Sequence, residues 1–341
     1  MSDLPAIECF QSNTGVTIYR LPMILFPNNF MGYAYVLKGA GELTLVDTGS
    51  GMGRSNDDLI AGFQAIRDDF GETFTLQDIK RVIITHGHID HFGGLSFVKG
   101  QTNASVGIHG LDRRVLTNYE ERVIVATKDL GIYFQRAGIK PAIRESLFQM
   151  YGFAKQHVQS VDVDFILEDE QILDDMEFLH MPGHCPGQVC IRIGDILLSA
   201  DHILSRTTPH QAPESITHYM GLGHYADSLR KLKHVQGIRL ALGGHEDPIH
   251  DLYTRIEEIR ASHNRKLDRI RTIMRDHGEP MTISDISKAM YPHVSDYHIL
   301  LAIEEAGAHI EYLYQHGHLR IANLEAVETE DNPAILYTLI D

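Results

Sequence analysis

Short apolar runs alternate with helical patterns along the first half of the chain, which is typical of a layered α/β fold. Four of these runs predict strands, at residues 17–21, 33–37, 43–46 and 81–85. Apolar residues recur at helical spacing between positions 59 and 66, and they predict a helix that stops near Gly71. The Gly-rich segment at residues 47–51 carries neither of the phosphate-binding glycine motifs, so we interpret it as a tight strand-to-helix turn.

Helical patterns become more frequent in the second half. Residues 111–161 predict a helical insertion, and further strands are predicted at 177–181, 189–193, 196–200 and 238–242. The dipeptide Gly194-Asp195 between two of these strands is a strong β-hairpin signal. Beyond Pro248 the chain predicts helices at 252–276, 282–290 and 295–315, followed by weaker strand patterns. We therefore predict an α/β domain at residues 1–250 and a smaller helical, winged-helix-like domain at residues 251–341.

Charge and cysteine content argue against a nucleic-acid-binding or disulfide-rich secreted protein. The chain has 30 Lys and Arg against 46 Asp and Glu, and this net charge of −16 opposes the binding of nucleic-acid phosphates. Three cysteines form no disulfide framework and fit a reducing compartment. The first residues resemble no signal peptide, and no apolar run is long enough to cross a membrane. We expect a cytoplasmic protein that acts on a small molecule, without a membrane or nucleic-acid partner.

Histidine is unusually frequent, with 21 residues, and imidazole is the commonest protein ligand for metals. Four potential ligands stand within six residues directly after the strand 81–85: His86, His88, Asp90 and His91. Such strand-to-helix loops are where α/β folds place their chemistry. Clustering these polar rings on a buried loop costs desolvation free energy unless something ligates them, so the segment predicts a metal site.

Three further potential ligands, His184, Asp201 and His245, each follow a predicted strand. Strand ends at one edge of a fold converge in space, and seven ligands suit two divalent metal ions. Imidazoles and carboxylates favour zinc, while iron and manganese stay open because such donors discriminate poorly among these metals. Two ions would share a bridging hydroxide as the nucleophile, and Asp90 would orient it and accept its proton as the catalytic residue.

These motifs resemble the metallo-β-lactamase superfamily, in particular two-metal hydrolases such as glyoxalase II, the acyl-homoserine lactonases and the lactamase-beta-2-like proteins. The resemblance covers about residues 15–250. It rests on the segments at 45–49, 85–94, 182–187, 198–201 and 243–245. It implies an αββα sandwich for the larger domain.

The resemblance also implies a distribution of the ligands. His86, His88 and His184 would hold the first metal. The second metal would be held by Asp90, His91 and His245, with Asp201 bridging the two ions. Asp47 would order the ligand loop without binding metal itself. Cys185 stands where the family usually has Thr or Ser, and we interpret it as a small buried residue rather than a ligand.

A binuclear metallo-hydrolase follows from this resemblance. The chain is acidic overall and, in its C-terminal region, concentrates its basic residues in the predicted helix 252–276. This distribution favours a small acyl thioester, ester or lactone as substrate over a polymer. A phosphodiesterase or endoribonuclease of the lactamase-beta-2-like type remains the alternative, because those proteins share the two-domain layout. By the same resemblance His224 and Tyr225 are candidate substrate contacts, and Arg265 would receive an anionic part of the substrate. The loop at residues 27–30 is a candidate for overhanging the mouth of the site.

The C-terminal module has the wrong charge for DNA recognition. Residues 251–341 contain 9 basic and 16 acidic residues, and the segment 290–319 has no Lys or Arg but includes Glu304, Glu305 and Glu311. A recognition helix should present positive charge to the groove. We interpret the module as one that packs on the larger domain or dimerises, and in the second case the protein would be a homodimer.

Overall fold

The structure is a computed structural model that describes residues 4–145, 148, 158–295 and 297–340. Within these residues the backbone contacts separate two compact units. The first unit falls within Met1–Glu120, His157–Pro209 and Arg230–Ile256, and the second within Glu121–Gln156, His210–Leu229 and Glu257–Asp341.

Two sheets organise the described part of the first unit. The larger sheet contains seven strands in chain order: β1 (Glu8–Gln11), β2 (Thr17–Phe26), β3 (Phe30–Lys38), β4 (Thr44–Val46), β5 (Arg81–Ile83), β6 (Ser105–His109) and β7 (Phe165–Leu167). The smaller sheet, in the spatial order β12-β11-β10-β9-β8, contains β8 (Ile172–Leu173), β9 (Met176–His180), β10 (Val189–Ile193), β11 (Ile196–Ala200) and β12 (Leu240–Gly243). The hairpin predicted at Gly194-Asp195 is confirmed, because β10 and β11 pair antiparallel across it.

The two sheets share one hydrophobic core. Fully buried side chains from the larger sheet, such as Ile18 and Ile83, cluster with Phe178, Ile191 and Leu242 from the smaller sheet. Burying each such side chain contributes about 1.5–3 kcal/mol. This core fixes the strand ends in space, and the loops that follow those ends therefore have a rigid base. The predicted mixed α/β class is confirmed.

Ten helices with defined bounds occur in the described residues: α1 (Ser55–Phe70), α2 (Ile89–Phe92), α3 (Leu95–Gln101), α4 (Arg113–Thr117), α5 (Tyr119–Arg136), α6 (Leu222–His234), α7 (Leu252–His277), α8 (Ile283–Met290), α9 (Tyr297–Gln315) and α10 (Leu324–Thr329). Gly71 ends α1 in the left-handed conformation, φ 70°, as its position predicted. Residues 141–145 are helical too, while residues 146–147 and 149–157 of the predicted insertion lie outside the described residues.

The C-terminal part of the second unit contains helices followed by a small sheet, in the predicted order. Strands β13 (Leu319–Ile321) and β14 (Tyr337–Leu339) pair antiparallel. The helix α8 begins with a capping box in which Thr282 and Asp285 satisfy each other's backbone groups. Its winged-helix-like character stays a prediction.

The second unit also takes in a segment that the sequence analysis placed inside the larger domain. The Tyr133 hydroxyl on α5 donates to the Ile303 carbonyl of α9 at 3.1 Å, and the Ser284 amide donates to the Ala137 carbonyl at 2.8 Å. These hydrogen bonds join α5 and the residue that follows it, Ala137, to the C-terminal helices of the same unit. The domain bounds 1–250 and 251–341 stay a prediction.

Strand β2 is longer than predicted and runs through Pro22. Strand β1 pairs with residues Thr17 to Arg20 of β2 and does not extend to Pro22. From residue 21 onward, the side of β2 that faces away from β3 is therefore an edge of the sheet. Proline is tolerated at such an edge because no ladder hydrogen bond is lost. Among the described residues, no helix is both long and apolar enough to cross a membrane.

Candidate metal centre

The fold brings all seven predicted ligands together. Each follows a strand of the first unit: His86, His88, Asp90 and His91 come after β5, His184 after β9, Asp201 after β11 and His245 after β12. Their ligand atoms form two groups, one of His86, His88 and His184 and one of Asp90, His91, Asp201 and His245, each with all its atoms within 4.8 Å of one another. The convergence of strand ends places residues up to 159 positions apart at one site.

Asp201 lies between the two groups. Its Oδ2 atom is 3.6 Å from His184 Nε2 in one group and 3.4 Å from His245 Nε2 in the other. Its Oδ1 atom is 3.4 Å from His91 Nε2. One carboxylate therefore reaches both groups, which is the position that the resemblance implied for a bridging ligand.

Hydrogen bonds fix the orientation of the histidine rings. The Nδ1 atom of His91 lies 2.8 Å from Asp47 Oδ2, and Asp47 also accepts hydrogen bonds from the amide and hydroxyl groups of Thr85, both at 2.8 Å. The Nδ1 atom of His245 lies 2.8 Å from the Met31 carbonyl oxygen. A proton on Nδ1 in both rings leaves Nε2 as the metal-binding atom. Asp47 thus supports the ligand loop from outside the group of ligand atoms.

Burial and mutual charge shift the protonation of the cluster. Burial, reinforced by His184, lowers the pKa of His88 to about 3 and keeps that imidazole neutral. Burial alone would raise the pKa of Asp90, but His91 and His245 lower it to about 2. Burial opposes protonation of His245, yet Asp201 and Asp90 raise its pKa to about 10. The buried carboxylates are stabilised by positive charge nearby. A divalent cation would provide that charge without protonation of the histidines.

The residues fit a metal ion on further grounds. His91 Nε2 and Asp201 Oδ1 are buried and make no hydrogen bond within the described structure. A Cβ atom added to Gly244 would lie 2.5 Å from Asp201 Oδ1 and 2.6 Å from His91 Cε1, so only glycine leaves space beside these ligand atoms. Ala200, directly before Asp201, has a left-handed backbone with φ 44°, and such strain is characteristic of functional sites.

The sequence analysis missed Asp112, which connects the two ligand loops. It is buried, and its carboxylate accepts hydrogen bonds from the amide of Gly87 at 2.7 Å and from the amide of Gly187 at 3.0 Å. Cys185 Sγ donates to the same carboxylate at 3.2 Å. Burial, together with the charge of Asp112, raises the pKa of the Cys185 thiol well above its usual range. Cys185 is therefore a neutral thiol that supports the loop, in agreement with its interpretation as a buried residue.

The candidate substrate residues have different surroundings. Phe30, from the loop at 27–30, is 42% exposed and its ring lies 4.7 Å from the ring of His245. In the second unit, His224 Nε2 lies 3.1 Å from Glu214 Oε1, and Arg265 is exposed on α7. Tyr225 is fully buried, with its ring 5.4 Å from that of His263. Substrate contacts by His224, Tyr225 and Arg265 stay predictions.

Comparisons with known proteins identify the family of this chain. The family model described as the metallo-beta-lactamase superfamily matches residues 27–273. The "Probable metallo-hydrolase YqjP" of Bacillus subtilis is 23% identical over 294 residues, which cover 82% of this chain and 86% of that protein.

Two solved structures share the architecture over nearly the whole chain. A metallo-beta-lactamase family protein from Thermus thermophilus superposes with a TM-score of 0.75 at 25% identity, covering 95% of this chain and 98% of that one. A beta-lactamase domain protein from Burkholderia ambifaria gives a TM-score of 0.72 at 21% identity, covering 99% and 96%. With its His/Asp cluster at the strand ends, the chain belongs to the metallo-beta-lactamase superfamily and is a metallo-hydrolase.

Proposed function

We propose that this metallo-hydrolase uses two metal ions to cleave a small acyl thioester, ester or lactone. The observation that carries the substrate class is the exposed ring of Phe30 beside the ligand His245. An aromatic surface next to the metal cluster favours an uncharged, partly apolar group over a polyanion. The net charge of −16 favours the same choice, because it opposes the approach of a phosphate polymer.

In this proposal His86, His88 and His184 hold the first ion, and Asp90, His91 and His245 hold the second. Asp201 would serve both ions, because its Oδ2 atom lies 3.6 Å from His184 Nε2 in one group and 3.4 Å from His245 Nε2 in the other. Nitrogen and oxygen donors in this proportion suit Zn²⁺, with iron and manganese as the other metals that such a set accepts.

When bound, two such ions supply Lewis-acid polarisation of the substrate oxygen and a hydroxide nucleophile at neutral pH. The protein's own contribution is orientation and proton transfer. Asp90 would orient the nucleophile and accept its proton while it holds a metal ion. Its Oδ2 atom lies 3.3 Å from His245 Nε2, which keeps it at the centre of the cluster. No serine or cysteine nucleophile is required.

A substrate panel tests the proposal. The zinc-loaded protein is assayed with a thioester, a lactone and bis-nitrophenyl phosphate. We expect hydrolysis of an acyl substrate, whereas cleavage of the phosphodiester alone would overturn the acyl proposal in favour of a phosphodiesterase.

The variant Phe30→Ala tests the role of the aromatic ring. Because ring contacts contribute about 0.5–1.5 kcal/mol, we expect KM for the acyl substrate to rise about threefold to tenfold with unchanged metal content. Phe70→Ala is the matched control, since Phe70 is a similarly exposed phenylalanine at the end of α1. An unchanged KM in Phe30→Ala, or an equal rise in both variants, would contradict the assignment.

A further inference from the structure

A second group of ligand-type side chains lies in the second unit. His263 comes from α7, and Glu305 and His309 come from one face of α9, four residues apart. One ligand atom from each residue lies within 4.8 Å of the others. All three residues are buried, with exposed fractions of 4%, 6% and 0%. Buried imidazoles and a carboxylate seldom cluster without a bound cation or a complete hydrogen-bond network.

The orientation of His309 matches that of the ligands in the first unit. Its Nδ1 atom donates to the Glu305 carbonyl oxygen at 2.7 Å, so its Nε2 atom carries a lone pair. That Nε2 atom is 3.0 Å from His263 Nδ1. The candidate metal centre has the same two features: His245 Nδ1 is 2.8 Å from a backbone carbonyl oxygen, and His86 Nε2 is 3.1 Å from His88 Nδ1. Two ring nitrogens at this spacing can coordinate one ion.

Hydrogen bonding satisfies only one nitrogen of the His263 ring. Its Nδ1 atom lies 3.0 Å from His309 Nε2, whereas its Nε2 atom is buried and has no hydrogen-bond partner within the described structure. Hydrogen bonds alone therefore leave this buried group incompletely satisfied.

Lys266 holds the position that a cation would take at Glu305. Its Nζ atom lies 2.6 Å from Glu305 Oε1, while the other carboxylate oxygen accepts the amide hydrogen of Gln211 at 2.8 Å. The Lys266 side chain is 26% exposed, so its long stem can carry the ammonium group into water. A divalent ion at Oε1 would replace this positive charge.

We propose that His263, Glu305 and His309 form a binding site for a divalent transition-metal ion such as Zn²⁺, which displaces Lys266 from Glu305. Two imidazoles and one carboxylate are a known donor set for zinc, and they leave a coordination position open. The ion would join α7 to α9 within the second unit. The site is distinct from the seven-ligand centre, with which it shares no residue.

Metal content per chain tests the site. Each protein is loaded with Zn²⁺, freed of unbound ion and analysed by elemental analysis. We expect His309→Gln and His263→Gln each to lose one equivalent relative to wild type. His298→Gln is the matched control because His298 is an exposed histidine on the same helix, and it should retain the full content. Since the readout is a difference, it does not depend on how many ions the seven-ligand centre holds.

Lys266→Met provides an independent test that keeps all three ligands. Removing the competing ammonium group should tighten Zn²⁺ binding at this site by at least about tenfold, measured by competition with a chelating dye. Equal metal content in wild type and both histidine variants would overturn the proposal. If neither histidine variant folds, unchanged or weaker affinity in Lys266→Met would overturn it.

Discussion

Replacing Asp112 with alanine should separate the two loops that carry His86, His88 and His184. The carboxylate accepts one backbone amide from each loop, Gly87 from one and Gly187 from the other. In Asp112→Ala both amides lose this carboxylate as their acceptor, and the Gly187 amide is buried. The change acts on the positions of the ligands and not on a ligand itself.

The magnitude follows from the two hydrogen bonds. A hydrogen bond to a charged acceptor contributes about 1.5–3 kcal/mol, so the loss of two should lower the free energy of unfolding by about 3–6 kcal/mol in Asp112→Ala. Groups that orient metal ligands typically change metal affinity by about 10–100-fold when they are removed. We expect a loss of this size for the ion held by His86, His88 and His184.

The assay combines urea unfolding of the metal-free protein with a chelator competition for Zn²⁺. Asp58→Ala is the matched control, because Asp58 is also buried and accepts the Ile24 amide at 2.9 Å but has no hydrogen bond to either ligand loop within the described structure. It should lose stability while keeping wild-type metal affinity. Wild-type metal affinity in Asp112→Ala, or an equal loss in both variants, would refute the positioning role.

Two further predictions concern histidines. Asp47→Asn keeps the size of the side chain and tolerates the left-handed backbone at this position, φ 59°, but its single oxygen cannot accept from both the Thr85 amide and His91 Nδ1, which contact different oxygens of Asp47. Metal affinity should fall about 10–100-fold, and an unchanged affinity by chelator competition would contradict this. Burial, with His180 stacked at 3.9 Å, lowers the pKa of His109 to about 4. Between about pH 6.5 and 4 the unfolded chain therefore binds a proton that the folded chain does not, so stability falls as pH falls. In His109→Gln this dependence of Tm on pH should be weaker, and an identical slope would contradict the assignment.

The predictable parts of this molecule are those that local sequence determines. The ligands His86 to His91 stand within six residues after an apolar strand, so their spacing alone indicates a metal loop. The hairpin at Gly194-Asp195 is equally local, because a two-residue turn fixes the register of its strands.

The parts that sequence reasoning missed depend on contacts between distant residues. Asp112 acts through Gly187, 75 positions away, and nothing in the residues around Asp112 marks it as different from a surface aspartate. His263 and His309 are 46 positions apart on two helices, and only their packing brings the rings together. The grouping of α5 with the C-terminal helices likewise depends on a hydrogen bond over 170 positions, from Tyr133 to Ile303.

The most direct test of the central claim is the metal content and hydrolytic rate of Asp201→Ala beside wild type. Asp195→Ala serves as the control, because Asp195 is the turn aspartate of the hairpin whose second strand leads to Asp201. The account predicts that Asp201→Ala loses at least one metal ion per chain and at least about a hundredfold in kcat/KM, while Asp195→Ala keeps both properties. An Asp201→Ala variant with wild-type metal content and a wild-type rate would contradict the binuclear assignment.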